Sequence, residues 1–65
     1  MKNKNHKMIY ASLNIKKVPF TMFKENGNDV FTFSNNKIVI TDENIIVNNE
    51  YFNNVNDVVK FIKEC

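Results

Sequence analysis

Asn26-Gly27 separates two runs of alternating apolar residues, and this constrains the chain more than any other local feature. Both central positions of a type I′ turn need a positive φ, which Asn tolerates and Gly adopts freely. With these two residues as the loop, Lys24 faces Asp29, Phe23 faces Val30, Met22 faces Phe31 and Phe20 faces Phe33. Opposite charges and aromatic rings then meet across the ladder, as cross-strand pairs prefer.

Other short polar stretches extend the same pattern. Asn35-Asn36 as a two-residue loop places Phe33 opposite Ile38 and Phe31 opposite Ile40. Asn48-Asn49 places Ile46 opposite Tyr51 and Ile45 opposite Phe52, and Asp42-Glu43-Asn44 must reverse the chain between these hairpins. Upstream, a turn at Lys16-Lys17 sets Leu13 opposite Phe20, Ala11 opposite Met22 and Tyr10 opposite Phe23. Pro19 then falls near the start of its strand, where a missing N–H is tolerated.

Side chains alternate between the two faces of a strand. One face therefore gathers Ile9, Ala11, Leu13, Phe20, Met22, Phe31, Phe33, Ile38, Ile40, Ile45, Val47 and Phe52 as the expected core. A one-residue slip in pairing would turn a strand inside out, so agreement among separate turns supports the register. After the last strand, Val55, Val58, Val59 and Ile62 follow the i, i+3, i+4, i+7 spacing of an amphipathic helix. Asn54 suits its N-cap, Asp57 its first turn, and Lys60 and Lys63 its C-terminal half. The expected fold is α+β: an antiparallel meander of five to six short strands, open or curled toward a small barrel, with one C-terminal amphipathic helix. Residues 1–6 read as a flexible basic tail and residues 7–65 as a single small domain.

Composition narrows the functional classes. A chain of 65 residues buries only about 60% of its unfolded surface, so its core is small. Cys65 is the single cysteine, which excludes an intrachain disulfide framework. No apolar run is long enough for a signal sequence or a membrane span, so a cytoplasmic setting is expected. All nine cations are Lys, and Asn recurs throughout. With Ile, these residues have A/T-rich codons and suit an A/T-rich genome such as that of a phage. Residues 1–24 carry six lysines and no acid, whereas the remainder is acidic on balance.

No catalytic constellation appears. His6 is the only histidine, Asp42 and Glu43 fall in a turn, and Gly27 is the sole glycine, so no glycine-rich phosphate loop exists. Metal-ligand spacing is absent, and neither metal nor cofactor is expected. The non-core face of the sheet is unusual in carrying Tyr10, Phe23, Val30, Ile46 and Tyr51. Contiguous exposed apolar residues mark interaction surfaces, and Tyr and Phe are enriched at interface cores. The expectation is a non-enzymatic protein-binding module using these five residues, with Lys16 and Lys17 as a charged rim. Its partner would be another protein, such as a host or defence enzyme inhibited by a phage or mobile-element accessory protein, or a second copy of itself. The alternative is a nucleic-acid-binding protein using Lys7, Lys16, Lys17, Tyr10 and Phe23, with bases stacked on the aromatics. Absence of Arg removes bidentate guanine readout and weighs against that alternative.

Overall fold

A computed structural model describes residues 2–65. In chain order, helix α1 (Lys2–Lys16) precedes strands β1 (Thr21–Glu25), β2 (Asn28–Phe33), β3 (Asn36–Ile40), β4 (Ile45–Val47) and β5 (Glu50–Phe52), and helix α2 (Val55–Glu64) follows them. The five strands form one open antiparallel meander in the order β1-β2-β3-β4-β5, with both helices on one face. The α+β class, the meander and the C-terminal helix are those expected; the sheet does not close.

Three of the four strand connections are two-residue turns with both central residues at positive φ: Asn26-Gly27 (54° and 80°), Ser34-Asn35 (45° and 66°) and Asn48-Asn49 (51° and 71°). The first and third set the expected registers, Phe23 opposite Val30 and Ile46 opposite Tyr51. The second lies one residue earlier than Asn35-Asn36, so Phe31 faces Ile38 and Phe33 faces Asn36. Moving a loop by one residue moves the pairing by two, which leaves every side chain on its original face. Apolar alternation is therefore blind to this difference. Asn36 is held in β3 rather than the turn, where its side-chain Oδ1 accepts from Asn48 Nδ2 at 2.9 Å. The fourth connection is organised by Thr41, whose Oγ1 accepts from the Asn44 N–H at 2.9 Å, and leaves Asp42 and Glu43 exposed.

The N-terminal segment departs from expectation. Residues 2–6 open α1 rather than forming a flexible tail, while Met1 lies outside the described residues. The segment from Ile9 to Leu13 is helical, not a strand. Ile9 and Leu13 are four apart, a spacing that places them together on one side of either a strand or a helix. Ala11 discriminates: a strand would bury it between them, whereas the helix turns it outward, and it is exposed. No Gly or Pro interrupts residues 2–16, and Lys, Met, Ala and Leu favour helix. Lys16-Lys17 is accordingly a helix end rather than a hairpin. Lys17 turns left-handed (φ 63°) while its N–H bonds to Leu13 O at 3.0 Å, and Pro19 follows. The pairs Leu13–Phe20, Ala11–Met22 and Tyr10–Phe23 do not exist as strand pairs.

Ile9 and Leu13 of α1 and Val58 and Ile62 of α2 close over Phe31, Phe33, Ile38, Ile40, Ile45 and Val47 to form the core. Phe20, Phe52, Val55 and Phe61 pack around it, half-buried. Met22 points to the helical side, but β1 lies beyond the helices' cover, and this residue stays 49% exposed. Asn54 caps α2 by accepting the Asn56 N–H at 2.8 Å. At the other end of α2, Lys16 Nζ of α1 donates to Lys63 O at 3.1 Å, placing a cation where the helix dipole favours one.

Candidate functional site: an apolar row across the open face

The pairing registers build one row of side chains over the entire sheet. Phe23 faces Val30, Val30 faces Val39, Val39 faces Ile46, and Ile46 faces Tyr51. These five residues share the face opposite the helices and span about 19 Å at the usual strand spacing. Phe23 and Tyr51, at the two ends, are 45% and 69% exposed, whereas Val39 and Ile46 are half-buried.

Val30 is fully buried yet takes no part in the core between sheet and helices. The cause is local. Lys37 and Glu25 lie on opposite sides of the row, on β3 and β1, and their ion pair (Nζ to Oε1, 3.4 Å) crosses it above Val30. On one flank Thr21 and Thr32 join their hydroxyls across β1 and β2. Beyond them, Val39 and Ile46 floor a shallow depression of about 380 Å³ whose rim is Lys37, Asn48 and Asn49. The face thus has an apolar centre and a polar rim. Its two charged strand residues, Lys37 and Glu25, neutralise each other.

Phe23, Val30, Ile46 and Tyr51 are therefore brought together as expected, but the remaining candidates are not. Tyr10 sits on α1, across the sheet from Phe23, with its ring edge-on to Phe20 at 5.5 Å and stacked near His6 at 6.3 Å. Lys16 is engaged with the end of α2, and Lys17 terminates α1, so neither rims the row. The basic residues Lys7, Lys16 and Lys17 and the aromatics Tyr10 and Phe23 do not share one surface, because α1 replaces the expected first strand. Val39 was the residue missed. Under an Asn35-Asn36 turn it would face Thr32, whereas the Ser34-Asn35 turn aligns it with Val30. The signal that could have found it is the gain of a continuous apolar row from moving that turn by one residue.

His6 occupies an unexpected position. From α1 its Nδ1 meets Asp29 Oδ2 at 3.1 Å, and its ring lies 5.1 Å from that of Phe31. Asp29 also pairs with Lys24 at 3.5 Å, the cross-strand contact expected from the turn. Among the described residues, no three His, Cys, Asp or Glu side chains cluster as metal ligands would, and Cys65 is an exposed terminal thiol. No helix among them is long and apolar enough to cross a membrane. Comparison with protein-family models, curated proteins and solved structures finds no match to this chain.

Proposed function

We propose that this chain is a non-enzymatic protein-binding module that meets its partner face-on through Phe23, Val39, Ile46 and Tyr51, with Val30 packed beneath them as support. The observation that carries the reading is the apolar row that the strand registers align across all five strands on the face that neither helix covers. Aromatic residues at both ends of a row whose middle is already packed suit an interface with a few dominant anchors. The charge on this face favours a protein over a nucleic acid. Its one lysine, Lys37, is already paired with Glu25, so phosphate neutralisation has little to draw on. A module of this size acts by occlusion, covering a surface that its partner needs. Inhibition of a host or defence enzyme by a phage or mobile-element accessory protein is the setting that the residue usage suits.

The test is affinity capture with the wild type, Phe23→Asp and Tyr51→Ser, followed by calorimetric titration of the purified captured protein over a range of salt concentrations. Both substitutions fall at exposed positions, so folding should survive. The expected outcome is an affinity loss of about 30-fold or more for Phe23→Asp, matching a hot-spot aromatic, with weak salt dependence and a negative heat-capacity change of binding. Equal affinity of the folded variants, or nucleic acid in place of protein in the captured fraction, overturns the proposal.

A further inference from the structure

The first strand has one edge bonded and one edge open. β1 is exposed along its whole length and occupies the end of the sheet, with β2 as its sole neighbour. The two-residue turn makes Glu25 and Asn28 a closing pair that exchanges main-chain hydrogen bonds. Bonded and non-bonded pairs alternate from there, so Phe23 and Thr21 also direct their N–H and C=O groups to β2. Met22 and Lys24 direct theirs outward, where the described residues offer no further strand.

Soluble proteins usually blunt such an edge with a proline, a bulge, an inward charge, a covering element or brevity. β1 has none of these in effective form. Pro19 lies before the strand, the register from Thr21–Thr32 to Glu25–Asn28 is unbroken, and no helix covers it. Lys24 is its only cation, and Asp29 holds it 3.5 Å away on the helical side. The opposite edge differs: β5 has three residues and runs almost directly into α2, which packs beside it.

We infer that β1 pairs antiparallel with β1 of a second copy, about a two-fold axis through Phe23. In this register Met22 of each chain faces Lys24 of the other, and the two outward-directed residues exchange four main-chain hydrogen bonds. Phe23 meets Phe23 of the second copy in a non-bonded pair, where side chains approach most closely. No like charges stand directly opposite. The register about Lys24 would oppose two lysines, and the register about Met22 would separate the two phenylalanines. The recess of about 190 Å³ beside the edge, lined by His6, Met22, Phe23, Lys24 and Asp29, lies where Met22 of the second copy arrives. Pairing also joins two five-residue rows end to end into a ten-residue apolar line about 43 Å long. The inference does not depend on a foreign partner for that row.

The test is sedimentation equilibrium from micromolar to millimolar concentration on wild type and Met22→Pro, with circular dichroism to verify folding. Proline at position 22 removes an outward N–H and no β1–β2 bond. Wild-type mass should rise from 7.7 kDa toward twice that value, and folded Met22→Pro should remain at 7.7 kDa. A wild type that stays monomeric, or a folded variant that dimerises as well as wild type, overturns the inference. Amide exchange on the wild type decides the case in which the variant does not fold. Protection of the Met22 and Lys24 amides that grows with concentration supports edge pairing. A dimer in which those two amides exchange freely overturns it.

Discussion

Among the described residues, left-handed backbone is concentrated at seven positions, and six of them make up the three hairpin turns. Only Gly27 among them lacks a side chain. A Cβ there would meet nothing within 4 Å, so the demand for glycine is conformational rather than steric. Gly27→Ala should cost about 1 kcal/mol, and Gly27→Asn should restore much of that loss; urea midpoints of the three proteins check both. Two of the turns were legible because Asn-Gly and Asn-Asn are the residues that a primed turn requires. The third was misplaced by one residue because Ser34-Asn35 and Asn35-Asn36 both contain Asn, and both keep Phe31 and Ile38 on the core face. The decisive contact, Asn36 with Asn48, joins residues twelve apart and has no local signature.

Among the elements, α1 is joined to the sheet by polar contacts as much as by apolar ones. Lys2 Nζ donates to Gly27 O at 2.7 Å and lies 3.5 Å from Asp42, and His6 meets Asp29 one turn further along. The Asp29 side chain is only 14% exposed and serves both His6 and Lys24. Asp29→Ala should therefore cost about 1–3 kcal/mol and raise amide exchange in the first turns of α1, while exchange in β3 and β4 follows global stability. An unchanged denaturation midpoint would show that the Asp29 contacts contribute nothing to holding α1. This helix was not legible in the sequence. Its buried stripe is reduced to those two residues, whose spacing suits a strand equally, and its polar docking contacts depend on the sheet already in place. α2 was legible because Val55, Val58, Val59 and Ile62 fit only the helical period and Asn54 marks its start.

At the scale of the molecule, the two faces of the sheet should respond differently to substitution. Leu13→Ala on the helical side removes a fully buried side chain and should cost about 2–5 kcal/mol. The total for a domain of 65 residues is on the order of 3–10 kcal/mol, so this variant should lose a large share of it and melt at least about 8 °C below wild type by circular dichroism. Tyr51→Ser on the open face should leave the thermal midpoint nearly unchanged.

The order of elements also governs how the chain acquires its fold. Each strand pairs with its neighbour in sequence, so the hairpins can close early at little loop entropy. α1 is the exception, because its last turn docks against α2, with Lys16 and Lys63 separated by 47 positions. During synthesis α1 leaves the ribosome before every strand and waits longest for its partner. Until α2 follows, Ile9 and Leu13 lack part of the surface that buries them, and the unfinished chain carries them as apolar exposure that only the last element removes.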